Sequence, residues 1–198
     1  PGQSPDLSFN TCISFMVNCN LQHYSGETGL SYFTQLFVIM LFQFVTAACG
    51  MAAMAGMMKA LAGKTKKTIG NFWVFLTRSV TRILLPLSLA VGILLVINGT
   101  PMSFDGKQTL TTLEGTEQVI SQGPTAAIVP IKQLGTNGGG YFGTNSAHPL
   151  ENANPFTNIL EMISLLLIPV ALCFTFGKAV KNKKQGIAIF MSMFIVLV

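Results

Sequence analysis

Two short stretches hold most of the chemistry this sequence can offer. Asn18 to Gln22 reads NCNLQ, and Thr136 to Gly140 reads TNGGG. Both are rich in oxygen: amide side chains, a hydroxyl, and backbone carbonyls beside glycines that leave them open. Convergent carbonyl oxygens can replace the hydration shell of a cation. The second stretch also completes G-x-G-x-x-G with Gly138, Gly140 and Gly143, the fingerprint of a dinucleotide-binding turn. That turn needs a strand before it, a helix opening on it, and an acidic residue about 20 positions further on. Here a short apolar run precedes the glycines, Pro149 and Pro155 break any helix directly after them, and the nearest acid, Glu151, comes too soon. With no G-x-x-x-x-G-K-[ST] either, no nucleotide is expected on this chain. The glycines then serve unusual backbone angles and close approach, in a pore loop or in an ordinary external turn.

Other reactive side chains form no constellation. Cys12, Cys19, Cys49 and Cys173 lack C-x-x-C spacing, which argues against a disulfide framework or zinc site. His23 and His148 stand alone, without paired ligands. Asn98-Gly99-Thr100 matches a glycosylation sequon, a weak signal by itself. Glu27 and Glu151 either order the mouth of a pore and attract cations or are solvated loop carboxylates.

The elements that must position these stretches are apolar. Half of the 198 residues are hydrophobic, only 10% are charged, and mean hydropathy is +0.55, whereas soluble domains carry about 25% charged residues. Long apolar runs cover Tyr32 to Met58, Phe72 to Ile97 and Ile159 to Phe176, and a fourth begins near Gly186. Crossing a bilayer core takes about 20 residues, so the first three predict spanning helices, with Pro86 and Pro169 expected to kink two of them. Small residues crowd the end of the first, from Ala47 to Gly56, which favours close helix packing in lipid. Because the chain opens on Pro1 and stops within an apolar run, it reads as a piece of a longer protein.

Charge sets the expected orientation. Ten of the twelve basic residues fall on one side: Lys59, Lys64, Lys66 and Lys67 with Arg78 and Arg82 just beyond, then Lys178, Lys181, Lys183 and Lys184. The positive-inside rule puts loops 59–70 and 178–185 in the cytoplasm, and 1–30 and 99–156 outside it. Arg78 and Arg82 share a helix face, where they snorkel to the interface or meet a partner subunit.

Each outer region contains an apolar run too short to cross, Leu7 to Val17 and Pro124 to Leu134. Runs of this length suit re-entrant or buried helices. Ser8 or Asn10 can cap the first and Pro124 can start the second. Each is followed at once by one of the oxygen-rich stretches and then by a span. The pattern is an internal repeat of short helix, polar loop and spanning helix, with Phe72 to Ile97 opening the second unit. Irregular backbone at membrane depth persists only where protein buries it or water lines it. Between the spans, Thr109, Thr111 and Thr112 in a polar loop from Gly99 to Gly123 suggest a small external hairpin.

At these residues the sequence resembles a known family. QLGTNGGGYFGTNSAHPLENANPFTN (Gln133 to Asn158), SFMVNCNLQHYSGET (Ser14 to Thr28) and LLIPVALCFTFG (Leu166 to Gly177) resemble the potassium-binding subunits of the Kdp potassium pump, within the potassium-transporter superfamily. The resemblance covers essentially the whole chain. It implies an all-α membrane protein built from repeated units of helix, re-entrant pore helix, filter loop and helix around a pseudo-fourfold pore. This chain would hold about half of that pore: the end of unit one (1–58), unit two (59–178) and the start of unit three (179–198).

The resemblance also implies the site. The family's second filter, T-N-G-G-G, is present as Thr136, Asn137, Gly138, Gly139 and Gly140. Its first, T-N-T-N-W-Q, falls on Val17, Asn18, Cys19, Asn20, Leu21 and Gln22, where Asn18, Asn20 and Gln22 match. The implied potassium-binding set is therefore Val17, Asn18, Cys19, Asn20, Gln22 and Thr136 to Gly140. Val17 and Cys19 keep their carbonyls but lose the threonine hydroxyls. The implied setting is a bacterial or archaeal inner membrane. The implied partners are a P-type ATPase subunit that hydrolyses ATP, small accessory subunits and lipid, with no nucleic acid. The chain itself would be non-catalytic. A passive or gradient-driven potassium transporter needs the same loops. A polytopic membrane enzyme has no carboxylate pair, nucleophile with base, or metal site to support it.

Overall fold

The computed structural model describes residues 2–19, 21–63 and 68–198. Asn20 of the first polar stretch and Lys64, Lys66 and Lys67 of the first basic loop lie outside the described residues.

Three helices are long and apolar enough to cross a membrane: Thr34–Ala62, Phe72–Ile97 and Pro155–Ala179. The first begins as a π-helix, Thr34–Met40, and continues as α3, Leu41–Ala62. The second is α4, Phe72–Ser79, then a π segment, Val80–Leu84, then α5, Leu85–Ile97. Pro86 stands in the first turn of α5, directly after that π segment. A proline has no N–H to give the preceding turn and its ring crowds the carbonyl behind it, and a widened turn accommodates both. The third span is α7, Pro155–Ala179, with Pro169 inside it. Its start is fixed by a capping box: the Asn154 side chain accepts from the Phe156 and Thr157 backbones, and the Thr157 hydroxyl accepts from the Asn154 backbone. A further apolar helix, α8 (Lys183–Leu197), starts at the basic loop, three residues before the expected Gly186. It meets α7 where Gly177 and Gly186 touch backbone to backbone.

The two short apolar runs are helices, α1 (Pro5–Met16) and α6 (Thr125–Leu134). Helix α1 starts earlier than Ser8 or Asn10, both of which lie within it. Ser4 occupies the cap and Pro5 the first turn, a position that suits proline's fixed φ and missing donor. In α6, Pro124 is the cap residue, as the sequence led us to expect. A four-residue helix, α2 (Gly26–Gly29), leads from the first polar stretch into the first span.

The core forms around α6. Eight of its ten residues are buried, clasped by Ala47 and Ala48 of α3, Leu84, Val91 and Leu95 of the second span, and Ile168 of α7. Alanines let α3 come close, and Gly92 does the same for α5: a Cβ there would stand 3.1 Å from the Ala126 carbonyl. Helix α1 buries only Thr11, Ser14 and Phe15.

The expected hairpin is present as β1 (Gly106–Thr111) and β2 (Glu117–Gln122), antiparallel from Gly106 opposite Gln122 to Thr111 opposite Glu117. Its base is tied to Tyr32, ahead of the first span, and to Tyr141, directly after the second polar stretch. The Tyr32 hydroxyl donates to the Gln122 carbonyl at 2.5 Å, and the Tyr141 and Ser121 hydroxyls lie 3.2 Å apart.

Candidate cation filter

Both short helices end in the same way. At the end of α6 the Thr136 N–H reaches the Gln133 carbonyl at 3.1 Å and the Asn137 N–H reaches the Lys132 carbonyl at 2.9 Å, with Thr136 at φ +53°. At the end of α1 the Asn18 N–H reaches Phe15 at 3.4 Å and the Cys19 N–H reaches Ser14 at 3.1 Å, with Asn18 at φ +54°. Each is a Schellman motif, in which one left-handed residue lets two crossed bonds close the helix. The repeat read from sequence is thus a repeat of backbone geometry, and it sets Asn18 level with Thr136 and Gln22 level with Gly140. The left-handed residue is usually glycine; neither loop has one there.

The two loops are stitched together by side-chain amides. Asn18 Nδ2 donates to the Gly135 carbonyl at 3.4 Å. Gln22 Oε1 accepts from the Gly140 N–H at 2.8 Å, while its Nε2 lies 3.1 Å from the Phe142 carbonyl and 3.0 Å from that of Tyr24. The three first-filter positions that depart from the family pattern, Val17, Cys19 and Leu21, have exposed side chains. The described matching ones, Asn18 and Gln22, do the stitching.

Span residues grip the second loop from behind. Gln43, fully buried in α3, donates through Nε2 to the Gly139 carbonyl at 2.5 Å, and its own carbonyl accepts from Asn137 Nδ2 at 3.2 Å. The Thr46 hydroxyl lies 3.3 Å from both Asn18 Oδ1 and Asn137 Oδ1, but its shortest bond, 2.8 Å, is to the Phe42 carbonyl. A hydroxyl has one proton to give, so both amide oxygens keep acceptor capacity. Asn18, Thr46, Gly135 and Thr136 line a 160 Å³ cavity at the ends of α1 and α6, whose floor is Leu84, Ile168 and Leu172. Helix C-termini carry partial negative charge, and the ends of α1 and α6 both border this largely apolar cavity.

The glycines divide their work. Gly138 has φ +77°. Gly139 makes room: a Cβ there would stand 2.5 Å from Phe15 Cζ, and one on Gly140 would stand 2.5 Å from Glu151 Oε1. The carbonyls of Gly138 and Gly139 accept from Asn145 Nδ2 and Gln43 Nε2, and each retains a second lone pair. By contrast, the Asn18, Cys19, Thr136 and Asn137 carbonyls accept no hydrogen bond among the described residues.

Glu151 is no solvated loop carboxylate. It is fully buried, pairs with Lys132 at 2.6 Å and accepts the Phe142 N–H at 2.8 Å. Glu27 accepts the Gly143 N–H at 3.0 Å, so both acids shape the exit of the second loop. His148 stacks on Phe142 with ring centres 3.6 Å apart, and its Nδ1 accepts the Leu150 N–H at 3.1 Å. Burial holds the imidazole below its ordinary pKa, against the opposing pull of Glu151 and Glu27. The unfolded chain therefore takes up this proton first as pH falls, so the stabilisation is complete above the unfolded value of about 6.5 and is lost below it. Thermal unfolding of the full-length protein between pH 7.5 and 5.5 should show this loss, and His148→Phe should flatten it. Parallel profiles for the two proteins would remove His148 as the cause.

Sequence reasoning missed Gln43, Thr46, Lys132 and Asn145. Gln43 and Lys132 carry a signal, a polar group within an apolar helical run. Asn145 carries none, because its role depends on where an irregular loop returns.

Residues 1–198 match the family described as Potassium-transporting ATPase A subunit, KdpA. Proteins named potassium-transporting ATPase potassium-binding subunit align at 72% identity over 189 residues in Parabacteroides distasonis, covering 96% of this chain and 33% of the relative. The Bacteroides thetaiotaomicron protein aligns at 70% over 188 residues, 95% of this chain and 33% of the relative. That of Geobacillus kaustophilus aligns at 51% over 194 residues, 98% and 34%. The chain spans about a third of the length of these curated relatives. With residues 1–198 matched and three helices suited to a membrane, the chain belongs to the KdpA family of potassium-transporting ATPase A subunits.

Proposed function

We propose that this chain supplies two filter loops to the ion-binding subunit of an ATP-driven potassium pump. The observation that carries the reading is the pair of Schellman-ended loops, stitched to each other, with four backbone carbonyls that take no hydrogen bond among the described residues. Dehydrated potassium is matched by such oxygens. Val17, Asn18, Cys19, Asn20, Gln22 and Thr136 to Gly140 line the ion path, the first loop through its carbonyls and the second through Thr136 and Asn137 above all. Residues 1–58 complete one pore unit, 59–178 form a second and 179–198 open a third, in a pseudo-fourfold arrangement. The exposed apolar side chains of α1, such as Phe9 and Met16, fit a helix that other quarters of the pore would cover. ATP hydrolysis belongs to a partner P-type ATPase subunit, with small accessory subunits alongside.

The full-length protein with its partners should show potassium-stimulated ATP hydrolysis and uphill uptake. Concentrative uptake by the full-length chain without an ATPase would overturn the pump reading in favour of a gradient-driven transporter. For orientation in a bacterial inner membrane, cysteines at Lys181 and Thr112, in a background free of native cysteines, should label from opposite sides. Labelling at Lys181 from outside intact cells would reverse the assignment.

A further inference from the structure

Lys132 is the residue of the second pore unit that neither the sequence pattern nor the filter motif explains. It lies in the last turn of α6, where a lysine usually reaches for solvent, yet it is only 1% exposed. An ammonium has three protons to donate, and all three are placed: Glu151 Oε2 at 2.6 Å, Asn145 Oδ1 at 2.8 Å and Ser146 Oγ at 2.5 Å.

The bond to Asn145 has a directional consequence. A primary amide has one accepting end and one donating end, and a buried cation admits only the accepting end. Asn145 Oδ1 therefore faces Lys132, and Nδ2 must face the other way. There it meets two acceptors, the Gly138 carbonyl and Gln22 Oε1, the latter at 2.9 Å. Gln22 is oriented in turn. Its Oε1 accepts from Asn145 and from the Gly140 N–H, so its Nε2 must face the carbonyls of Phe142 and Tyr24. One fixed charge thus sets the sense of two amides in series, and the second amide belongs to the other filter loop.

We propose that Lys132 is a positioning residue for ion selection: it polarises a relay, Lys132 to Asn145 to Gln22, that aims the Gly138 carbonyl and locks the two filter loops in register. This rests on the filter reading given above. Lys132 does not touch the ion path; its effect passes through Asn145. Without the ammonium, the Asn145 amide can turn over and present oxygen to the Gly138 carbonyl. The two loops would then be free to separate, and a looser ring discriminates less sharply by ion size.

Two variants test this in the full-length complex. Asn145→Asp keeps size and the bond to Lys132 but cannot donate to Gly138 or Gln22 while ionised. Lys132→Met combined with Glu151→Gln removes the charge that sets the relay together with that of its ion-pair partner. Potassium-, rubidium- and ammonium-stimulated ATP hydrolysis are read for each, with co-purification as the check on assembly. Both should weaken potassium half-saturation by about tenfold, which is ~1.4 kcal/mol, and narrow the preference over rubidium and ammonium, while Lys132→Arg retains most of the wild-type preference. Assembled variants with wild-type affinity and preference would overturn the relay. So would failure of both variants to assemble while Lys132→Arg assembles, since the cluster would then serve folding alone. A wild-type complex that shows no potassium dependence would instead sink the filter reading itself.

Discussion

Gly139→Ala in the full-length complex should weaken potassium half-saturation by about tenfold and let rubidium or ammonium compete better. The added methyl has nowhere to go. It would stand 2.5 Å from Phe15 Cζ and 3.3 Å from Gln43 Nε2. Phe15 cannot easily withdraw, being buried against Tyr24 and Ile39. Overpacking of this kind costs roughly 1–3 kcal/mol, and ~1.4 kcal/mol is a factor of ten in binding if the strain falls on the ion-bound state. The first pore helix and the second loop would be pushed apart, which widens the ring. Gly138→Ser should act by a different route, since its φ of +77° makes any side chain there cost roughly 1–2 kcal/mol. Cys19→Thr should be far milder, because the Cys19 side chain is exposed and the backbone keeps its form. Cation-dependent ATPase activity in assembled complexes is the measurement. Unchanged affinity and selectivity in both glycine variants would reduce these glycines to a turn.

The largest loss of stability should come from Glu151→Ala. That change leaves the Lys132 ammonium buried without its counter-charge, orphans the Phe142 N–H, and opens a hole beside Gly140. Breaking one side of a buried ion pair costs about 3–5 kcal/mol, a large part of the ~5–15 kcal/mol that typically holds a protein together. The expected result is little folded protein and a thermal midpoint many degrees lower for what survives. Pairing Lys132→Met with Glu151→Gln should recover most of the loss, because neutral partners carry no such desolvation cost. A Glu151→Ala protein with a wild-type midpoint would show that water or a rearranged neighbour replaces the carboxylate.

How much of the fold and the filter is legible in the sequence divides along physical lines. The spans are readable because lipid demands long apolar runs, and Phe72–Ile97 falls where hydropathy puts it. The short helices and the hairpin follow from length and alternation. The start of α1 differs from expectation, since Pro5 in the first turn outweighs the capping side chains of Ser8 and Asn10. The π segments leave no mark in the apolar pattern. The polar stretches can be marked as candidates from their oxygens alone. What holds them is only partly marked: Gln43 and Lys132 stand out as polar groups in apolar helical runs, but their partners do not, and Asn145 acquires its own only through a loop that folds back across 7 residues to Gly138 and 123 to Gln22.

The left-handed residues at the two helix ends carry a cost in stability. Glycine adopts that conformation at little cost, whereas asparagine pays something and β-branched threonine pays more. At Asn18 and Thr136 the chain nevertheless carries side chains with oxygen atoms. A protein shaped only for robustness would drift toward glycine at both positions. Asn18→Gly and Thr136→Gly should each relieve that cost, so both points where helix turns into loop hold less stability than glycine would give them.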